Sequence, residues 1–319
     1  MKEYIQLHEN QFEQYQKAEA PERRRTTLIL ESPAKINLYL DVLGKLQSGY
    51  HEIVTLFSEI NLCDILKFSL TNYHDIKLLS TNDSLVNSQN LIYQTAIYIQ
   101  AKYSVRYGAK ITLEKNIPIA AGLGGGSSNA ATTIRALDVL WDLNMSEKEK
   151  NDIAARFGSD INFFINGGQA IGTGRGEKIE TIPEKNFADI ENILLVNPNF
   201  HISSNEAYKI VTPKVTPISE QKSNTTNHPD KNLKMLLEKK NIKLCFNRLE
   251  KGIEKKYPII AETLEKLKNC GAKNAILSGS GPTMIGFFSD TETLEDAQKL
   301  MKEKGFWTFK TTTRRRQKK

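Results

Sequence analysis

The stretch richest in chemistry along the 319-residue chain is PIAAGLGGGSSNAA at 118–131. Gly122, Gly124, Gly125 and Gly126 are followed by Ser127 and Ser128 and then by a helical pattern. A glycine turn that opens a helix presents unpaired backbone N–H groups at the positive end of the helix dipole, which makes an anion site. Without Cβ atoms the backbone can approach a polyphosphate closely, and the serine hydroxyls offer ligands for phosphate oxygens or a metal. Known phosphate loops can be tested by spacing. Counted from Gly122, a Walker A loop needs glycine at 127 and lysine at 128, and both positions are serine. The G-x-G-x-x-G dinucleotide fingerprint fails at Ser127 as well. What remains is a phosphate loop of another kind, against the plainer alternative of a flexible glycine run.

Other groups able to do chemistry stand in four further segments: SPAKINLYL (32–40), SGYH (48–51), GSDINFFINGGQAIGTGRGE (158–177) and LSGSGPTMIGFF (277–288). Together with the glycine segment, in this order and spacing, they resemble the GHMP kinases over about residues 28–312. The S-P-A-K-x-N-L-x-L strand leading to G-Y-H, and the G-x-D-x-x-F-F passage, narrow the resemblance. They point to the branch acting on a cytidine-diphosphate-linked methylerythritol.

This resemblance implies an α+β, two-domain GHMP kinase fold. Its N-terminal domain would be ribosomal-protein-S5-domain-2-like (26–185) and its C-terminal domain ferredoxin-like (186–313), with ATP and substrate meeting in the cleft between them. ATP, carrying Mg2+ as the nucleotide complex, would give its γ-phosphoryl group to the 2-hydroxyl of 4-(cytidine 5′-diphospho)-2-C-methyl-D-erythritol, a step of non-mevalonate isoprenoid precursor synthesis. The resemblance assigns Pro118, Ala121, Gly122, Leu123, Gly124, Gly125, Gly126, Ser127 and Ser128 to the nucleotide, and brings Gly279, Ser280 and Gly281 near its phosphates. It makes Asp160 the base and Lys35 the cation that keeps it ionised and pairs with phosphoryl oxygens. Asn37, Tyr50, His51, Phe57 and Tyr208 would bind the substrate, with Tyr50 and Tyr208 sandwiching the cytosine and His51 bonding its edge. Each has a plainer alternative: Asp160 a turn residue, Lys35 a solvated lysine on a strand's polar face, His51 a surface histidine, Tyr208 a helix residue packed on the core. Arg175 and Glu177 read as hairpin residues. In this branch proline usually stands where the chain has Asn162, which frees a torsion and adds a donor two residues from Asp160.

The elements that must carry these groups follow from periodicity. Ile36, Leu38, Leu40 and Val42 alternate with Asn37, Tyr39 and Asp41, which predicts a half-buried strand, and structure begins near Thr26. Residues 53–60 and 65–70 read as two further strands, and 109–115 as another. Asn90 caps a helix carrying Ala96, Ile99 and Tyr103. Ala130, Ile134, Leu137 and Trp141 mark a second helix, and Glu147–Phe157 a third ending at Gly158. Gly167 to Gly176 reads as a turn-rich passage and 213–231 as a linker. Beyond it, 233–237, 244–249 and 259–267 read as helices, and 275–277 and 284–288 as strands around a glycine turn. The domain boundary falls between about 180 and 215, placed at 185.

Composition limits the alternatives. The net charge is +7, but the last six residues, Arg314 to Lys319, carry +5 and leave the rest at +2. Residues 1–25 hold five acids and five bases and read as an extension with no net charge. The charge therefore describes a frayed basic tail (314–319) on a nearly neutral body rather than a nucleic-acid-binding face. A hydrophobic fraction of 39% is enough for a sizeable core, and no apolar run is long enough to span a bilayer. The acid-rich N-terminus lacks a signal-peptide apolar region, so the expected location is cytoplasmic. Cys63, Cys245 and Cys270 lack metal or redox spacing and read as plain thiols. The expected partner is a small-molecule substrate, with no specific nucleic acid and no membrane. Another GHMP small-molecule kinase, of mevalonate or homoserine type, and a nucleic-acid-binding module remain as alternatives.

Overall fold

A computed structural model describes residues 26–46, 49–211 and 231–316. The expected N-terminal extension, nearly all of the linker, and the tail beyond Arg316 lie outside the described residues. Eleven strands and nine helices follow along the described chain. They are β1 (Thr27–Lys45), β2 (His51–Thr71), β3 (Ile76–Ser80), α1 (Leu91–Lys102), β4 (Gly108–Glu114), α2 (Gly125–Leu140), α3 (Glu147–Phe157), α4 (Ile161–Asn166), β5 (Gln169–Thr173) and β6 (Lys178–Thr181). Then come β7 (Ile193–Asn197), α5 (Ser204–Val211), α6 (Lys231–Lys239), β8 (Phe246–Asn247), α7 (Glu250–Lys256), α8 (Pro258–Asn269), β9 (Asn274–Leu277), β10 (Met284–Phe287), α9 (Thr291–Glu303) and β11 (Trp307–Thr311).

Two compact units emerge, neither continuous in sequence. The first takes residues up to 32 together with 63–117 and 125–165; the second takes 33–62, 118–124 and the chain from 166 onward. In the first, β4 pairs antiparallel with the C-terminal half of β2 and parallel with β3. Packed against one another are α1 and α2, then α2 and α3. As expected, α1 is capped by Asn90, whose side chain accepts from the Ile92 N–H, and α2 buries Ala130, Ile134 and Leu137. A capping box between Ser146 and Glu149 starts α3, and Gly158 ends it.

In the second unit, β5 pairs with the N-terminal half of β2 and with β6, while β8 runs parallel to β1. A separate four-stranded sheet has the order β11-β7-β10-β9. Numbered along the chain these are strands 4-1-3-2 of a βαββαβ unit, the ferredoxin-like arrangement. Both α8 and α9 pack on this sheet, burying Leu264, Leu267, Ala297 and Met301 against Leu194, Val196, Ala275 and Met284.

Several expectations change. Residues 53–60 and 65–70 belong to one strand, because the polar residues between them find partners in place: Asn61 donates to Thr312, and Asp64 is enclosed in a hydrogen-bonded cluster. Rather than half-buried, β1 is buried on both faces from Ser32 to Val42, its polar side satisfied by pairs such as Asp41 with Arg248. The passage after Gly168 is a β5–β6 hairpin. Residues 244–249 are no helix: a 3-10 turn at Ile242–Leu244 leads into the short strand β8. At the C-terminus, residues 314–316 are not frayed. Backbone N–H of Arg314 donates to Glu59, Arg315 pairs with Asp189 at 2.7 Å, and the Arg316 guanidinium reaches the carbonyls of Gly167 and Ile182 over the Phe187 ring. A cation that meets fixed acceptors folds with the body, and charge arithmetic carries no trace of that.

Candidate active site

Entry to the glycine segment is held by a buried carboxylate. Asp64 accepts from Lys115 Nζ at 2.7 Å, from the N–H groups of Asn116 and Ile117 at 2.8 Å each, and from Asn129 Nδ2 at 2.9 Å. Asn129 also donates to Ser32, whose hydroxyl lies 2.7 Å from that of Ser128. Residues immediately before and after the segment are thereby tied to one group. Burial pulls the Lys115 ammonium below the usual lysine range, while Asp64 opposes that shift. Nothing in the sequence marked Asp64, Lys115 or Asn129, because a polar residue between two apolar runs reads equally well as a turn.

Between these ends, Gly122 takes φ +77 and Gly124 φ +68. A Cβ on Gly122 would lie 2.3 Å from the Ser278 carbonyl, so glycine is required there by both conformation and contact. Ala121 and Leu123 face the core, and Pro118 is half-buried. Helix α2 then starts at Gly125. Gly126 is exposed, and a Cβ built on it would meet nothing nearer than Leu91 at 3.9 Å. Ser128 is turned into the buried network, which leaves Ser127 as the half-exposed hydroxyl. Open backbone at the N-terminus of a 16-residue helix is a donor set that suits a polyphosphate.

Lys35 is 5% exposed, not a solvated surface lysine. Its backbone N–H donates to Leu123, and its ammonium donates to Asn37 Oδ1 at 2.7 Å and sits 5.1 Å from the Phe57 ring centre. Asn37 passes the chain on to Thr55, and Thr55 to the Tyr39 carbonyl. Phe57 is buried beneath the lysine. The second glycine turn reaches the same place: a Cβ on Gly279 would lie 3.1 Å from Asn37 Oδ1 and 3.5 Å from Lys35 Nζ. Lys35 and Asn37 thus meet both glycine turns.

Asp160 belongs to the other compact unit, half-buried in the turn between α3 and α4. The donor that Asn162 adds is used: its Nδ2 bonds the Asn151 carbonyl at 2.9 Å and side chain at 3.1 Å, so an amide tether to α3 stands where a proline ring would stiffen the loop.

Among the expected base-binding residues, Tyr50 is exposed, with the Arg175 guanidinium 4.8 Å from its ring centre. Arg175 is held by Glu177, which accepts its backbone N–H. His51 and Tyr208 stack face to face at 5.2 Å and 16°. Burial, with the Lys45 charge adding to it, holds His51 below the usual histidine range, so the imidazole is neutral near pH 7 and can both donate and accept. None of the three cysteines forms a disulfide, and burial pushes the Cys245 thiol up to about 12, which makes it inert. No helix among the described residues is long and apolar enough to cross a membrane.

Comparison with known proteins gives this geometry a family. The model of the GHMP kinases N terminal domain matches residues 90–168, and that of the GHMP kinases C terminal matches 231–305. A 4-diphosphocytidyl-2-C-methyl-D-erythritol kinase of Prochlorococcus marinus (strain MIT 9312) is 39% identical over 88% of this chain and 94% of its own length. One from Thermoanaerobacter pseudethanolicus is 40% identical over 85% and 90%. A crystal structure of 4-(cytidine 5′-diphospho)-2C-methyl-D-erythritol kinase superposes with a TM-score of 0.74 at 25% identity, covering 90% of this chain and all of that one. Homoserine kinase from Cytophaga hutchinsonii shares the fold, with a TM-score of 0.70 at 15% identity over 93% and 97% of the two chains. With an α+β fold, two glycine turns meeting at one buried lysine and relatives matched along most of its length, the chain belongs to the GHMP kinases, in the 4-diphosphocytidyl-2-C-methyl-D-erythritol kinase family.

Proposed function

We propose that the chain transfers the γ-phosphoryl group of ATP to the 2-hydroxyl of 4-(cytidine 5′-diphospho)-2-C-methyl-D-erythritol. The observation that carries this reading is the buried Lys35 ammonium at the meeting point of the 118–128 segment and the 278–281 turn. Phosphoryl transfer depends on placing positive charge and backbone donors around a migrating anionic group. Asp160 takes the proton of the 2-hydroxyl as its oxygen bonds the γ-phosphorus. The bond from phosphorus to the bridging oxygen breaks, and ADP leaves. Lys35 offsets charge on the phosphoryl oxygens.

The nucleotide is held by Pro118, Ala121 to Gly126, Ser127 and Ser128. Among these the N–H groups at the start of α2 and the Ser127 hydroxyl are the ones open to ligand, whereas Ser128 acts through Ser32 and Asn129. Magnesium, when bound with the nucleotide, supplies charge neutralisation at its phosphates; among the described residues no group of three His, Cys, Asp or Glu side chains gathers to hold a metal without it.

Asn37 and Phe57 line the acceptor side at Lys35. Tyr50 offers an exposed ring for the cytosine, and neutral His51 a donor and acceptor for its edge. Tyr208, stacked on His51 and packed against the core of the second unit, is the candidate for the second ring that sandwiches the cytosine with Tyr50. The two family segments, 90–168 and 231–305, leave room for a division of the chain at 185/186 between them, whereas the compact units interleave in sequence. The family of small-molecule kinases to which the chain belongs, and the pairing of Arg315 with Asp189 and of Arg316 with backbone carbonyls, support a cytoplasmic enzyme of small molecules without a specific nucleic-acid or membrane partner.

Coupled ADP release across candidate acceptors tests the reading. Turnover is expected with the cytidine diphosphate substrate; turnover with mevalonate or homoserine and none with that substrate would overturn it. Asp160→Asn is expected to cut kcat by roughly 10²–10⁴-fold. Turnover like that of the unaltered enzyme would remove Asp160 from the mechanism.

A further inference from the structure

Residues 244–249, helical by periodicity, turn out to place one amide against the second glycine turn. Asn247 is 4% exposed. Its Nδ2 donates to the Leu277 carbonyl at 2.7 Å and to the Gly279 carbonyl at 2.8 Å, while its Oδ1 accepts the Leu249 N–H at 2.9 Å. Both amide protons and the amide oxygen are thus engaged, and the two protons go to one turn. From the next residues, Glu250 accepts the Leu277 N–H at 2.8 Å.

The same residue is fixed to the strand that carries the lysine. Asn247 is in parallel register with Leu40 in β1, and the Arg248 N–H donates to the Leu40 carbonyl. Lys35 and Asn37 lie a few residues earlier in β1, and Gly279 is the residue packed against them. Ser278 continues the junction by donating to the Gly122 carbonyl at 3.2 Å. Among the described residues, the N–H groups of Gly279 and Ser280 donate to no carbonyl. The turn therefore presents donors beside a buried ammonium, and its position relative to β1 is set by Asn247.

We propose that Asn247 is a positioning residue for phosphoryl transfer: it registers the 278–281 turn against Lys35 and Gly122 without touching the reactants itself. This rests on the kinase reading above. Reacting groups displaced by about 1 Å can lose on the order of 10²-fold in rate, so the effect belongs in kcat and in KM for ATP. The KM for the cytidine substrate, whose base meets residues on other segments, stays unchanged.

The test is steady-state kinetics of the full chain with both substrates varied, measured well below each variant's melting temperature. Asn247→Ala is expected to lower kcat by about 10- to 100-fold, raise KM for ATP, and leave KM for the cytidine substrate within about twofold. Asn247→Asp, which keeps the acceptor for Leu249 but cannot donate to the two carbonyls, is expected to match it. If the alanine variant does not fold, Asn247→Ser, retaining one donor, is read in its place and is expected to lose part of kcat. A folded variant with a lowered melting temperature but unchanged kcat and KM for ATP would overturn the proposal, since a purely structural role moves only the melting temperature. An inactive unaltered enzyme would overturn the kinase reading, and this inference with it; an active one with indifferent Asn247 variants would overturn this inference alone.

Discussion

The two glycine turns that meet Lys35 are anchored by opposite chemistry. The longer one, at 118–128, has its ends tied to a buried carboxylate, Asp64, which gathers an ammonium, two backbone N–H groups and an amide. The shorter one, at 278–281, hangs from a neutral amide, Asn247, and the nearby carboxyl of Glu250. A buried ion pair is held only while every partner is present, and removing one leaves an uncompensated charge. A neutral amide leaves only unsatisfied dipoles when it is lost. The long loop, open to ligand at the start of α2, has the anchor that fails all at once. The short turn, walled in by Gly122, Lys35 and Asn37, has the anchor that fails by degrees.

The largest effect expected from this contrast follows from Asp64→Ala. It strands the Lys115 ammonium and three donors, and is expected to cost about 3–5 kcal/mol in urea unfolding. Lys115→Met should cost less, because Asp64 keeps its three other donors. A loss at Asp64 no larger than the roughly 1–3 kcal/mol expected for stranding neutral groups at Asn247 would break the comparison.

The next effect depends on pH. Burial is the main cause that raises the Glu250 carboxyl from 4.5 to about 7, with the Glu254 charge adding and the Leu277 N–H, Lys268 and Lys251 opposing. Between those values the folded chain keeps a proton that the unfolded chain has lost, so stability is fullest below the unfolded value and falls as pH rises through the folded one. Glu250→Gln keeps an acceptor for Leu277 and carries no charge. It is expected to match the parent near pH 5 and to exceed it at pH 8 by on the order of 2–3 kcal/mol. Equal gains at both pH values would show that the short turn's anchor does not titrate.

The smallest effect separates ligand from scaffold in the long loop. No contact requires glycine at 126, so Gly126→Ala is expected to stabilise by about 0.5–1 kcal/mol through helix propensity while raising KM for ATP. Thermal denaturation and kinetics together check it, and higher stability with an unchanged KM would take Gly126 out of the nucleotide site.

Much of the site was legible because its signals are local. The glycine run, the strand around Lys35 and the helix caps at Asn90 and Gly158 depend on spacing over a few residues, and they stand where spacing put them. The missed parts are long-range. Asp64 is one residue in a continuous strand, and its partners lie more than fifty positions away. Asn247 was hidden in a run whose apolar spacing suits a helix, but pairing with β1 and with the Leu277 carbonyl outweighs that weak propensity. The terminal arginines could be counted from composition, yet only the contacts of Arg314 with Glu59, of Arg315 with Asp189 and of Arg316 with Gly167 and Ile182 show that these three are part of the body.

Sequence alone determined the family motifs, the α+β class and the glycine turn that opens α2, because glycine conformations, caps and alternation are short-range consequences of residue type. Only the tertiary structure decided that Lys35 is buried, that Ser128 faces inward while Ser127 stays half-exposed, and that an amide at 247 sets the second turn. Burial and hydrogen-bond partnership depend on which distant segments meet, and no local pattern encodes that.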